Sequence, residues 1–289
     1  MMLGFNVNKR EVVFRGKLTA VSPLRVGAGQ GHKITDLIDL SCIKVTIGDR
    51  LIPYIPGSSL KGVLRSAAEG IIRTARLKGN NLNACYPYLD SSCAKRYGNK
   101  LMRLQEEVKR SEDVEEAISR LLDFVEKNYC LACRIFGATG IMSHVAVKDC
   151  YGIDGSYSFG TRRGVAIDRR TGAVAKRALY TVEFLNPGSE FDFELVMKNM
   201  PNYQVGLVAA AIKGINDGRI HVGGMKSRGF GRAKITVREA TLDCKQIPDT
   251  IKALGEDDYP VVLQPEGDYT EKLLNAFEEA WIKFAEAHR

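Results

Sequence analysis

The 289-residue chain is 45% hydrophobic, yet it contains no run of about 18 apolar residues, so no segment can cross a bilayer as a helix. Met1 to Val13 lack the apolar stretch of a signal peptide, because Asn6, Asn8, Lys9, Arg10 and Glu11 interrupt them. A cytoplasmic location is therefore expected. Histidine is scarce, at four residues, and no H-E-x-x-H pair, G-x-S-x-G elbow or protein-kinase set is present. Gly27, Gly29 and Gly31 miss the dinucleotide fingerprint, since His32 stands at its third glycine. Gly57 to Gly62 has the glycine spacing of a Walker A loop, but Val63 and Leu64 replace its Lys and Ser/Thr. Arg228-Gly229-Phe230-Gly231 opens like an RNP1 strand, yet Arg232-Ala233 replaces the Phe-Val continuation, so the motif does not support stacking aromatics on a sheet face. Seven cysteines, an odd number, argue against a secreted disulfide scaffold and for metal binding or buried thiols.

Acid is also unevenly supplied. Asp249 to Arg289 hold ten acids and four bases, a net of −6, which leaves +14 on residues 1–248 of a chain whose total is +8. Ion pairing alone would bring each part near neutrality, so the body calls for a polyanionic partner.

The apolar spacing predicts an α+β protein. Val12, Phe14, Leu18 and Ala20 alternate as a strand, and a hairpin turning at Gly48-Asp49 follows. Leu60, Val63, Leu64, Ala67, Ala68, Ile71 and Ile72 recur as a helical stripe, with a serine of Ser58-Ser59 expected as its N-cap. Residues 77–142 read as a helical insertion, 144–150 as a strand, and 151–189 as a long exposed hairpin turning at Arg170-Thr171-Gly172-Ala173. Phe191 to Met197 form a strand, Val205 to Ile215 a helix stopped at Asp217-Gly218, and Ala233 to Ala240 a last strand. This is the βαββαβ order of a ferredoxin-like (RRM-type) core spanning residues 1–248. Residues 249–289 are expected to be a peripheral acidic appendage ending in a helix around Phe277 and Trp281.

Five features carry chemistry. The loop Gly223 to Arg232 combines backbone accessible at glycines with Lys226, Arg228 and Arg232, which suits phosphate. The helix start at Gly57-Ser58-Ser59 offers free N–H groups, with Lys61 and Arg65 one turn apart. The hairpin carries Arg162, Arg163, Arg169, Arg170, Lys176 and Arg177 among apolar residues and can wedge between nucleotides or contact a subunit. Cys85, Cys93, Cys130 and Cys133 form two pairs, one of them C-x2-C, in the manner of a tetrahedral structural zinc site, while Cys42, Cys150 and Cys244 read as packing residues. Asp36 and Asp39 follow a glycine-rich turn, where a carboxylate beside RNA can hold a divalent cation or position a ribose hydroxyl.

Several strings occur together and in order: Leu24-Arg25-Val26-Gly27-Ala28-Gly29, Ile38-Asp39, and Ile52 to Gly62 with its Ile55-Pro56-Gly57-Ser58-Ser59-Leu60-Lys61-Gly62 core and Arg65. Cys130-x2-Cys133-Arg134-Ile135-Phe136-Gly137 and Gly223 to Gly231 complete the set. They resemble the RAMP superfamily of CRISPR proteins over about residues 11–240, and within it the backbone subunit of type III effector complexes, the Csm/Cmr-like repeating subunit. The resemblance implies a subunit that polymerises with copies of itself and other effector subunits along a guide CRISPR RNA. It also implies a ferredoxin-like palm, a hairpin thumb that kinks the guide–target duplex, and a loop Asp that cuts complementary target RNA with Mg2+ or Mn2+. Asp39 matches that Asp, with Lys44 five residues on. Ser41 stands where the family usually has Pro and the stretch to Pro56 is longer, so Asp36 is the substitute. Two alternatives remain: a purely structural guide-RNA-binding subunit, and a metal-independent guide-processing endonuclease, for which His32 is the one loop histidine.

Overall fold

Alternation in the first strand, β1 (Glu11–Ala20), sends Val12, Phe14, Leu18 and Ala20 into the core and Arg15 to the solvent side. The structure is a computed structural model that describes residues 7–27, 38–79, 81–255 and 257–289, and at residues 175–178 the backbone alone. After β1 come the hairpin β2 (Lys44–Ile47) and β3 (Arg50–Ile55), then α1 (Gly57–Ala75), which buries Leu60, Leu64, Ala68 and Ile72 of the expected stripe. The insertion holds α2 (Cys93–Arg110), α3 (Val114–Asn128) and the short α4 (Leu131–Phe136). β4 (Val145–Val147) and β5 (Cys150–Tyr151) lead to a long two-stranded arm, β6 (Phe159–Ile167) and β7 (Val174–Leu185). The chain continues through β8 (Glu190–Lys198), α5 (Asn202–Asn216), β9 (Ala233–Leu242), β10 (Lys245–Gln246), β11 (Thr250–Ile251), β12 (Val261–Val262) and α6 (Tyr269–Ala287).

The result is an α+β fold with antiparallel sheets. The main sheet runs β10-β9-β1-β8-β4; smaller sheets are β2-β3-β5, the arm β6-β7, and the pair β11-β12. Helix α1 packs on β4 and α5, and α5 packs on β9 and α6. Opposite the helices, the exposed side of the main sheet is laced with ion pairs: Arg15–Glu194 at 3.1 Å, Lys148–Glu194 at 2.6 Å, Lys198–Glu11 at 3.0 Å, and Lys17 with Glu190. Its charges nearly cancel there, so the surplus basic charge belongs to other surfaces.

The structure departs from the sequence expectation in four places. No serine caps α1. Pro56 precedes the helix, and the carboxylate of Asp149, 92 residues away, accepts from Gly57 N–H at 2.7 Å. Residues 144–150 are not one strand, because the chain leaves the main sheet after Val147 and re-pairs β5 with β3; the turn between them is what presents Asp149 to α1. The helical insertion breaks at Ser111-Glu112-Asp113, where the Asp113 carboxylate caps α3 through Glu116 N–H at 2.9 Å.

The fourth departure is the C-terminal segment, which packs into the core rather than lying at its periphery. Leu273, Leu274, Phe277, Trp281 and Phe284 of α6 are buried, and the Phe277 ring lies 5.8 Å from Phe14. Gly206 of α5 admits this contact: a Cβ there would stand 2.1 Å from Phe277 O. Asp258 from the same segment caps α5, accepting from Asn202 N–H at 2.9 Å and Tyr203 N–H at 3.1 Å. Net charge reports the outer face of such a segment, while its apolar stripe decides where it sits.

Candidate nucleic-acid interface and metal centre

The root of the arm is built on two glycines. Gly160 faces Phe184 and Gly164 faces Tyr180 across β6-β7, and a Cβ at either would strike the opposing ring, at 2.7 Å and 2.2 Å. The rings therefore lie flat across the glycines. Residues 38–44 run along this root. Leu40 bridges Val182, Glu183 N–H donates to Leu40 O at 3.0 Å, and the buried Glu183 carboxylate accepts from Cys42 N–H at 2.9 Å and Lys44 Nζ at 2.6 Å. The Lys44 ammonium also sits 4.2 Å from the Phe159 ring centre. This fastening places Asp39, which is exposed: its N–H donates to Thr181 O at 3.1 Å and its Oδ2 accepts from Thr181 N–H at 2.6 Å. Asp36 and His32 lie outside the described residues.

The glycine-rich loop reaches the same place from the other side. Gly223 (φ +80°) and Gly231 (φ +90°) let the backbone press against Arg25 O and Val222 O, where a Cβ would come within 2.3 and 2.4 Å. Hydrogen bonds from Gly224 N–H to Arg25 O and from Gly231 N–H to Pro23 O tie the loop down. Lys226, Ser227 and Arg228 are then held outward on one 3-10 turn, Lys226–Arg228. The Arg228 guanidinium donates to the Tyr180 hydroxyl, and the exposed Arg162 guanidinium lies 4.9 Å from the ring centre of buried Phe230 and 5.8 Å from Phe184. Arg162, Arg228 and Asp39 thus each rest on β7 between residues 180 and 184, at the arm root. Arg163, the next residue of β6 and the pairing partner of Thr181, is exposed on the opposite face of the arm. Arg169 is in the turn at the arm tip, and Arg232 leaves the group, with its N–H on Ser22 Oγ and its guanidinium beside Gly218.

At the start of α1, Ser58 and Ser59 are exposed, but much of the helix end is occupied. Asp149 takes Gly57 N–H, and Pro56 O accepts from Ser59 and Leu60. Lys61 is half-buried, and desolvation, helped by the charge of Arg65, pulls its pKa below the ordinary lysine value. Arg65 turns inward. Its guanidinium binds Glu69 at 2.9 Å, Gly137 O at 3.0 Å and Cys133 Sγ at 3.7 Å.

The four paired cysteines converge. Cys85 precedes α2, Cys93 opens it, Cys130 precedes α4 and Cys133 is in its first turn, and all four Sγ atoms lie within 4.8 Å of one another. A zinc tetrathiolate with bonds of about 2.3 Å has sulfur–sulfur edges of about 3.8 Å, and Cys85 and Cys133 Sγ are 3.5 Å apart. Backbone N–H groups of Cys85 and Cys130 point at Cys130 Sγ and Cys93 Sγ, at 3.4 and 3.3 Å. The Ser92 and Tyr129 hydroxyls, each one residue before a ligand, are buried without a hydrogen-bond partner among the described residues. Thiols accept poorly and metal-bound thiolates accept well, so the donor set fits a metal such as zinc, which would supply structural cross-linking of the insertion. Cys42 and Cys150 are buried thiols whose pKa values burial pushes up to about 11 and about 12. Cys244 is exposed in the β9–β10 turn rather than packed.

A profile of the RAMP superfamily matches residues 17–234, from within β1 to the second residue of β9. The chain belongs to the RAMP superfamily. A comparison with curated proteins gives no match. RAMP proteins are CRISPR-associated; they bind CRISPR RNA and work in multi-subunit complexes. In this RAMP chain the matched region contains the arm, the glycine-rich loop, Asp39 and the cysteine cluster, while α6 lies beyond it although it packs on the same core. No described helix is long and apolar enough to cross a membrane.

Sequence reasoning missed Glu69, Glu183 and Asp149, and read Tyr180 only as one of the residues interleaved with the basic ones of the arm. Glu69 was legible at i+4 from Arg65. Tyr180 and Glu183 acquire meaning only once β7 pairs with β6 and receives residues 38–44.

Proposed function

We propose that this RAMP protein is the repeating backbone subunit of a type III CRISPR effector complex, which binds guide RNA along a filament of its copies and cuts the complementary target. The strand order β9-β1-β8-β4, joined through α1 and α5, supports a ferredoxin-like core with the insertion and the hairpin thumb as additions. Residues 1–248 carry the RNA-handling surfaces and 249–289 complete the core. Ser58, Ser59 and Lys61 take guide phosphates at one end. Arg162, Arg163, Lys226 and Arg228 take them at the thumb root, with Arg169 at its tip and Arg232 at the edge of the loop. The complex acts in the cytoplasm, where its RNA ligands are.

The observation that carries the cleavage reading is Asp39, an exposed carboxylate fixed by Thr181 at the foot of the thumb, next to the Tyr180–Arg228 pair. There it can bind Mg2+ or Mn2+ against a scissile phosphate, or orient a ribose hydroxyl. One observation favours the structural alternative. Among the described residues the cysteine cluster is the one group of three or more candidate metal ligands, so Asp39 stands without a described carboxylate partner set. Replacement by asparagine decides between them, because Asn keeps an acceptor for Thr181 and loses the charge. In the assembled complex, Asp39→Asn is expected to lower target cleavage at least about 100-fold with guide RNA and copy number retained. Unchanged cleavage would leave a purely structural subunit.

A further inference from the structure

Helix α1 carries Arg65, Glu69 and Arg73 at successive turns of one face, and the three side chains form a chain of ion pairs. Glu69 Oε1 accepts from Arg65 Nε at 2.9 Å and its Oε2 from Arg73 Nη2 at 3.2 Å. Each arginine then reaches a different part of the cysteine cluster. Arg65 grips the α4 side through Cys133 Sγ and Gly137 O, while Arg73 donates to Ala84 O at 3.2 Å and Cys85 O at 2.9 Å. The segments bearing Cys85 and Cys133, 48 residues apart in the chain, are thus both fastened to one helix.

The charges of this group do not balance by themselves. Two half-buried guanidinium groups share a single buried carboxylate, leaving one positive charge beside four sulfur atoms. Against four neutral thiols that surplus is uncompensated and costly. Against a divalent cation held by four thiolates, a centre of charge −2, it is the complement, and the 3.7 Å approach of Arg65 Nη2 to Cys133 Sγ becomes a charge-assisted contact to sulfur.

We propose that Arg65, braced by Glu69 and Arg73, is a positioning residue of the thiolate metal centre: its positive charge holds the Cys133 thiolate and favours metal loading, rather than meeting RNA phosphate. The inference rests on the cysteine cluster binding zinc, and the experiment separates the two. Zinc affinity of the full-length chain is measured by competition with a chromophoric chelator, and Co2+ substitution reports the thiolate set spectroscopically. If wild type takes up no stoichiometric zinc and gives no thiolate-to-cobalt bands, the metal reading fails, and the proposal with it.

Given wild-type binding, Arg65→Gln is expected to weaken zinc about 10- to 100-fold, with the cobalt bands shifted but still those of four thiolates. Arg65→Lys, which retains the charge, is expected to recover affinity to within about threefold of wild type. Arg73→Gln serves if Arg65→Gln does not fold, because it removes the same surplus charge, and it is expected to weaken zinc as well. Zinc affinity equal to wild type in the glutamine variant tested, or equal losses in Arg65→Gln and Arg65→Lys, would overturn the proposal.

Discussion

His144 is the clearest single-residue consequence of the packing. It is buried between the insertion and β8, with Nδ1 2.8 Å from Lys198 O. Burial lowers its pKa from 6.5, and the carbonyl contact only partly offsets this. The native state therefore binds fewer protons than the unfolded chain just below pH 6.5, and stability falls as the pH drops through that window until the folded histidine also protonates. Wild type is expected to lose thermal stability between about pH 7 and pH 5, and His144→Asn to lose less over the same range. Parallel melting-temperature profiles for the two proteins would contradict this.

The elements show a shared device: both central helices take their N-terminal caps from remote aspartates. Asp149 reaches α1 from the β4–β5 turn, and Asp258 reaches α5 from the C-terminal segment, where its Oδ2 also accepts from Leu254 N–H at 2.7 Å. In each case a proline precedes the helix and no local side chain caps it. Asp258→Ala is expected to cost about 1–2 kcal/mol, read as a lower denaturant midpoint at unchanged m-value. The glycines that fix these elements were visible in the sequence as glycines only. Gly57 is required because a Cβ would stand 2.0 Å from Val147 O, a contact created by the sheet and the helix together.

For the whole molecule, the open sheet face is neutralised pair by pair, while Arg162, Arg163, Lys226 and Arg228 stand exposed at the arm root and the glycine-rich loop. Single-stranded RNA binding by the full-length protein should accordingly depend steeply on salt. Lys61→Glu/Arg228→Glu is expected to weaken binding and flatten the slope of log affinity against log salt by about 1.4, at roughly 0.7 for each phosphate no longer neutralised. An unchanged slope would move the RNA path elsewhere on the molecule. The acidic C-terminal segment is part of the same folded body, because α6 supplies Phe277 to the core and the same segment supplies Asp258 to α5.

The sequence by itself determined the order of the core elements, the turn of the arm, the glycine-rich basic loop and the cysteine quartet. Each of these is written in local periodicity, in turn chemistry or in the spacing of one residue type. Tertiary structure decided how the side chains are used. Arg65 is as basic as Lys61 and one turn away, yet it faces sulfur and Glu69, because the insertion folds back against that side of α1. Asp39 gains its place from β7, 142 residues on, and α6 its place from an apolar stripe that net charge conceals. Such partnerships come from chain segments far apart in sequence, and no local pattern encodes which side chain will be opposite another once they pack.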